Sequence, residues 1–265
     1  MMTVTGMMNL LLSHNIAALT DCFSVLASQE PGFFSTTNLI GLGIIAIGVL
    51  IGGIVQANLR EKIEEYSCIT GRLTGAEVAR MMLDQYGLQD VKVTHVPGTL
   101  TDHYNPQNKT VNLSDMVYSE TSLAAIAVAV HECGHAVQDA EHYCWGKLRS
   151  ELVPFVAMGA PFGQALLTIG LLLAIQGADT TLAWIGLSLF ASSTLFALVT
   201  LPVEFDASRR ALAWLGSSGL ANQAIKEKAA SALHWAAMTY VSAALSSIAL
   251  VLYYVISLVN ARFRR

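Results

Sequence analysis

The sequence predicts a mainly α-helical membrane protein in which about four transmembrane helices accompany one small α+β domain. Of its 265 residues, 54% are hydrophobic and only 13% are charged, whereas a soluble globular domain carries about 25% charged residues. Four uncharged stretches also reach the roughly 20 residues that a helix needs to cross a bilayer. One or two of them could be buried helices of a soluble core, but four together favour a multi-pass membrane protein.

Hydropathy divides the chain into seven segments. The first 35 residues contain apolar runs but no Lys or Arg, so they do not match a secretory signal peptide, which begins with positive charge. The predicted organisation begins with a leader at 1–35, to which no structure is assigned. Transmembrane helices are predicted at 36–59, 152–178, 180–203 and 235–261. A domain is predicted at 60–151 and a helical segment at 204–234. Three prolines in the second and third spans should bend or end their helices locally, namely Pro154, Pro161 and Pro202.

The sequence pattern of the polar domain, 60–151, predicts short helices and strands. Thr74 and Glu77 form a capping box that begins a helix, and Gly87 ends it. Alternating apolar residues and turn residues predict three strands, the last two forming a hairpin, at 91–96, 99–104 and 109–113. Ser119 or Thr121 is expected to cap the helix that follows.

That helix carries the most specific motif, His131-Glu132-Cys133-Gly134-His135. Residues four apart share a helix face, so the two histidines can direct both imidazoles at one cation. Glu132 lies about 100° around the helix, beside the metal, where a general base can take a proton from a metal-bound water. Cys133 points away and is expected to pack against another helix. The alternative is a pair of hydrogen-bonded histidines on a core helix, but the His-Glu-x-x-His pattern favours a zinc site.

A catalytic zinc site needs a third protein ligand. A histidine six residues after the motif is excluded, because Glu141 occupies that position and Gln138 replaces the glycine that would turn the chain. The remaining candidates are Glu204 and Asp206, which lie roughly 200° apart on a helix, so that only one can face the metal. Glu204 is favoured, the alternative being that it caps a helix at the membrane boundary.

Five blocks of sequence, in order, resemble the YugP-like neutral zinc metallopeptidases, which are bacterial membrane proteins. The blocks are Leu73–Ala79, Leu100–Pro106, His131–Gln138, Leu148–Pro154 and Leu198–Ala211. This family is more distantly similar to HtpX and the CaaX prenyl protease, in which the first Glu of a Glu-x-x-Ala-Asp motif supplies the third zinc ligand. The resemblance therefore implies a zincin-like metallopeptidase domain with Glu204 as that ligand. The chain departs from the motif at Ser208, which replaces Asp, so Asp206 or another group is expected to support the metal site.

Together these residues predict a membrane-embedded zinc endopeptidase. One catalytic zinc would be held by His131, His135 and Glu204, and Glu132 would be the general base. Candidates for an oxyanion or substrate contact are His103, Tyr143 and Arg209. A non-catalytic zinc-binding membrane scaffold or regulator is the alternative, although it does not require Glu132.

The expected partners are a peptide or membrane-protein substrate and the lipid bilayer, with no accessory membrane protein identified. The net charge of −4 argues against nucleic acid. Lys and Arg near the span ends are more numerous on the side of the domain, which places an integral inner-membrane protein with its active site in the cytoplasm. Arg262, Arg264 and Arg265 are contrary charges at the other side.

Overall fold

The computed structural model describes residues 36–176 and 178–263, and these are mainly α-helical with one small sheet. The predicted leader at 1–35 lies outside the described residues. The helices within those ranges are α1 Thr36–Ser67, α2 Gly75–Gln85, α3 Asp115–Ser119, α4 Leu123–Ala140, α5 Cys144–Ile175, α6 Thr181–Ser217 and α7 Gln223–Phe263. The strands are β1 Lys92–His95, β2 His103–Asn105 and β3 Thr110–Leu113.

Among the described helices, three are long and apolar enough to cross a membrane: α1, α6 and α7. Helix α5 makes a fourth if it counts as one span despite a 44° bend between Ala157 and Gly159. Pro161 lies four residues after Ala157 and cannot donate a backbone hydrogen bond to its carbonyl, which accounts for a bend at this point. The mainly helical fold class, with three to four apolar helices, is confirmed.

The predicted segment boundaries at 59/60, 151/152, 203/204 and 234/235 fall inside continuous helices. In particular, Pro202 does not end its helix, because α6 continues through it to Ser217. The physical reason is that a change in hydropathy marks a change of surroundings, whereas a helix ends only where the backbone loses its hydrogen-bond partners. The segment predicted as a separate helix after 203 is therefore the second half of α6, followed by a turn and the first part of α7.

The chain forms two compact units. Within the described ranges, the sheet unit contains residues 54–150 and 199–240. The helix unit contains residues 36–53, 151–198 and 241–263.

The sheet unit is built from the three strands and the helices around them. The strand order is β1-β3-β2, with β1 parallel and β2 antiparallel to β3, so β2 lies at an edge. The predicted hairpin of β2 and β3 is confirmed, and so is the capping box of Thr74 and Glu77 at the start of α2. Helix α4 begins after Ser122, whose side-chain oxygen accepts from the Ala125 amide at 3.2 Å. The predicted caps Ser119 and Thr121 were therefore wrong by one to three positions.

The helix unit buries an apolar core of its own. Its fully buried members include Leu167, Ala183, Phe190 and Leu258. Glycine allows two of its helices to approach closely, since a Cβ added at Gly186 would lie 2.2 Å from the backbone nitrogen of Leu167. Such close approach at small residues is typical of helices that pack in a membrane.

Candidate metal centre

The metal-binding candidates come from two helices that touch through a glycine. His131 and His135 lie one turn apart on α4, and their ring centroids are 4.8 Å apart. Between them, a Cβ added at Gly134 would lie only 2.5 Å from the carbonyl oxygen of Ala207 on α6. Only a glycine permits this contact, and it brings Glu204, nearly one turn before Ala207, to the two imidazoles.

The three side chains form one cluster whose ligand atoms all lie within 4.8 Å of one another. The Nε2 atom of His131 is 3.2 Å from one carboxylate oxygen of Glu204, and the Nε2 atom of His135 is 3.6 Å from the other. The Glu204 side chain is only 3% exposed. Two imidazole nitrogens and a carboxylate oxygen facing one point are the donor set of a catalytic zinc site, so these residues fit zinc.

The second ring nitrogen of each histidine, Nδ1, also has a polar contact. The Nδ1 atom of His131 is 3.1 Å from the hydroxyl oxygen of Ser208. The Nδ1 atom of His135 is 3.0 Å from the side-chain oxygen of Gln138. Metal-ligating histidines commonly use their second nitrogen in this way. Ser208, which departs from the Asp of related motifs, thus still contacts a histidine through its hydroxyl group.

Glu132 lies beside the cluster and is buried. Its carboxylate accepts a hydrogen bond from the backbone amide of Tyr104 on β2, at 3.0 Å. Because β2 is the edge strand, this amide points away from the sheet and toward the motif helix. The contact fixes the position of the predicted general base relative to the sheet edge.

A small cleft opens onto the cluster. It is lined by Asp102, His103, Tyr104, His131, Glu132, His135, Arg149, Glu204 and Tyr240. Of the three predicted oxyanion or substrate contacts, the structure brings only His103 to this lining. Tyr143 packs near the guanidinium of Arg210, at 5.9 Å, and Arg209 pairs with Asp206 while its own side chain stays 73% exposed.

Sequence reasoning missed four lining residues, namely Asp102, Tyr104, Arg149 and Tyr240. The Arg149 guanidinium donates to a Glu204 carboxylate oxygen at 2.8 Å, and its side chain is only 13% exposed. Tyr240 lines the same cleft as Glu204. Arg149 had a signal, because it is a cation three residues before the apolar run that begins at Leu152, but this position is equally typical of a charge that flanks a membrane span. Nothing in the sequence near Tyr240 distinguishes it from other tyrosines.

Two further groups near the site are buried without contacting the cluster. Burial raises the pKa of Asp102, which accepts from the amide and hydroxyl of Ser114 at 2.7 and 2.9 Å. Burial likewise raises the pKa of the Cys133 thiol, whose sulfur lies 3.5 Å from the carbonyl oxygen of Ala79 on α2. Cys133 therefore packs the motif helix against α2, as expected.

The amino-acid sequence matches known proteins over most of its length. The model of a family described as "Putative neutral zinc metallopeptidase" matches residues 42–259. One curated relative, "Putative membrane protease YugP" of Bacillus subtilis (strain 168), is 40% identical over 226 residues, which are 84% of this chain and 97% of the relative. No solved structure matches the chain at a significant level.

Proposed function

The chain belongs to this family of neutral zinc metallopeptidases, and on that premise we propose that it is a membrane-embedded zinc endopeptidase. The observation that carries the proposal is the buried cluster of His131, His135 and Glu204 with Glu132 beside it. A scaffold needs only the ligands, whereas a carboxylate next to them is what peptide hydrolysis requires.

A single zinc held by the three ligands would supply a water of lowered pKa and a Lewis acid for the peptide carbonyl. Glu132 accepts the proton of the attacking water and later donates it to the departing amine. Its hydrogen bond to the Tyr104 amide orients the carboxylate for this transfer. The chemistry therefore depends on Glu132 remaining within reach of both the water and the scissile nitrogen.

Three lining side chains are suited to stabilise the oxyanion: His103, Arg149 and Tyr240. Arg149 donates to Glu204, and both Arg149 and Tyr240 line the cleft at the ligand cluster, beside the position where charge would develop. The Nδ1 atom of His103 is 2.8 Å from the Thr101 carbonyl, which can only accept, so Nδ1 holds a proton. His103 can then donate through Nε2 only as an imidazolium. We assign the main role to Arg149 and Tyr240, and none to Tyr143 or Arg209.

A substrate peptide is proposed to bind in extended form along β2, as an added strand in a zincin-like domain. The Tyr104 amide already donates to Glu132, and Pro106 has no amide hydrogen. Backbone pairing at this edge is therefore short. Binding through main-chain hydrogen bonds still favours loose sequence requirements, because such bonds do not distinguish side chains. Substrates are proposed to be membrane or membrane-proximal proteins.

We also propose that the apolar helices α1, α5, α6 and α7 make four membrane spans at the positions predicted from hydropathy. The excess of Lys and Arg near the domain then places the active site on the cytoplasmic side. Labelling of Cys68, which is exposed in the sheet unit, tests this placement in intact and permeabilised cells. Labelling in intact cells by an impermeant reagent would contradict it.

The experiment that tests the enzyme is Glu132→Gln in the full chain. We expect zinc binding to persist while cleavage of a casein-like substrate falls by at least about 100-fold, since general-base catalysis is worth roughly 10²–10⁴ in rate. Glu120→Gln, an exposed glutamate just before α4, is the matched control and should cleave normally. Cleavage that survives Glu132→Gln contradicts the mechanism. Stoichiometric zinc without cleavage by the unaltered protein favours the scaffold.

A further inference from the structure

Gln138 is a buried amide in the core of the metal centre, only 3% exposed, and it contacts two helices at once. Its side-chain oxygen lies 3.0 Å from the Nδ1 atom of His135 on its own helix, α4. Its side-chain nitrogen donates to the Val203 carbonyl at 2.8 Å and to the Asp206 carboxylate at 2.9 Å, both on α6. These two acceptors lie on either side of Glu204 in the sequence.

The orientation of this amide follows from its partners. A backbone carbonyl and a carboxylate can only accept, so the Gln138 atom that faces them is the NH₂ group. The reverse orientation would press the side-chain oxygen against two other oxygens. The Gln138 oxygen is therefore left facing His135, and because an amide oxygen can only accept, the Nδ1 atom of His135 must carry a hydrogen.

This arrangement differs from the one at His131. The Ser208 hydroxyl can both donate and accept, so its contact does not select a tautomer of His131. At His135 the proton position is fixed, which leaves the Nε2 lone pair directed at the cluster even before a metal binds. The Asp206 carboxylate that helps fix the amide is itself paired with Arg209 and Arg210, the latter at 2.5 Å.

We infer that Gln138 is a positioning residue that sets the Nδ1–H tautomer of His135 and ties α4 to the helix carrying Glu204. Gln138 therefore acts on two of the three ligands. It accepts from the ring nitrogen Nδ1 of His135, and it donates to the backbone carbonyl of Val203, next to Glu204. The consequence for zinc affinity rests on the proposed zinc site, whereas the tautomer does not depend on any metal.

Zinc affinity tests the first consequence in full-length protein in detergent, by competition with a chromophoric chelator. Gln138→Met keeps the side-chain length and removes every hydrogen bond, and we expect zinc affinity to fall about 10- to 100-fold. Gln85→Met is the matched control, because Gln85 accepts from the Trp214 indole on the same helix α6 at 2.5 Å without contacting a ligand. Equal zinc affinity of the two variants would overturn the inference.

Ring nitrogen NMR of metal-free protein labelled with ¹⁵N-histidine tests the second consequence, at a pH where the ring is neutral. His135, assigned by its loss in His135→Ala, should show its hydrogen on Nδ1 in the unaltered protein. Gln138→Met removes this acceptor and should give a mixture of tautomers, whereas the control Gln85→Met should keep the hydrogen on Nδ1. A hydrogen on Nε2 in the unaltered protein would overturn the inference. If the tautomer is as expected but no zinc binds, the proposed function fails and the role of Gln138 stands.

Discussion

The sheet unit and the helix unit both bring helices together at glycines, but they bury different side chains. In the sheet unit, charged and polar side chains are buried around Glu204, and each finds partners, as Arg149 and Gln138 show. In the helix unit, backbones approach closely at glycines, as at Gly186. Lipid offers apolar helices no hydrophobic reason to associate, so close contact must supply the attraction there. Among the described residues, the buried charged side chains lie in the unit with the candidate metal site, where burying them costs stability.

The substitution with the largest expected effect is Arg149→Met in the sheet unit. The Glu204 carboxylate is almost fully buried, and losing its guanidinium partner should destabilise the metal-free protein by about 3–5 kcal/mol. Saturating zinc should restore most of that stability, because zinc would compensate the same charge. Lys147→Met, which removes an exposed cation from the same helix, should have little effect. Thermal unfolding with and without zinc measures this, and an Arg149→Met loss that zinc does not repair contradicts the argument.

The same substitution placed in each unit gives a sharper comparison. An added Cβ meets backbone at 2.5 Å in Gly134→Ala and at 2.2 Å in Gly186→Ala, so each should cost about 2 kcal/mol through overpacking. In the sheet unit the loss should appear as weaker zinc binding, because α4 is pushed from α6. In the helix unit it should appear as a lower unfolding temperature with zinc affinity unchanged.

Gly52→Ala provides the control for that pair, since nothing lies within 4 Å of an added Cβ at this position. Zinc titration and thermal unfolding of all three variants separate the two outcomes. Equal loss of zinc affinity in Gly134→Ala and Gly186→Ala would contradict the expectation that zinc affinity depends on packing in the sheet unit alone.

The smallest expected effect is that of Thr194→Val in the helix unit. Thr194 and Ser247 share a buried hydrogen bond at 2.5 Å between α6 and α7. Hydrogen bonds between membrane helices contribute about 0.6 kcal/mol on average, so the unfolding temperature should fall only slightly and zinc affinity should not change. A loss as large as that of Arg149→Met would mean that polar contacts also dominate this unit.

Much of the sheet unit could be predicted because its signals are local. The capping box of α2 and the hairpin of β2 and β3 each lie within a few consecutive residues. The two histidines of the candidate site are likewise spaced by a single helical turn. Glu204 was reached by excluding nearer ligands and by resemblance to a motif on a second helix.

The rest of the site could not be predicted because it depends on contacts between distant residues. Arg149 reaches Glu204 across 55 positions of the chain, and a lone cation beside an apolar run more often marks a membrane boundary. Tyr143 and Arg209 were candidates for an extra oxyanion donor, but Arg209 pairs with Asp206 and Tyr143 packs near Arg210. The helix ends were missed at 203 and 234 for a different reason, since hydropathy reports surroundings and not backbone hydrogen bonds.

The buried thiol of Cys133 can be used to measure how often the motif helix opens. Its thiol is fully buried against α2, and burial raises its pKa, so that little thiolate exists at neutral pH. Cys68 and Cys144 are exposed and can be blocked first with an alkylating reagent, and Cys22, which lies outside the described residues, can be replaced by Ser. The remaining slow alkylation at Cys133 then reports how often α4 separates from α2 in the otherwise native protein. Measured with and without added zinc, that rate tests whether the metal holds this helix closed, with no substrate required.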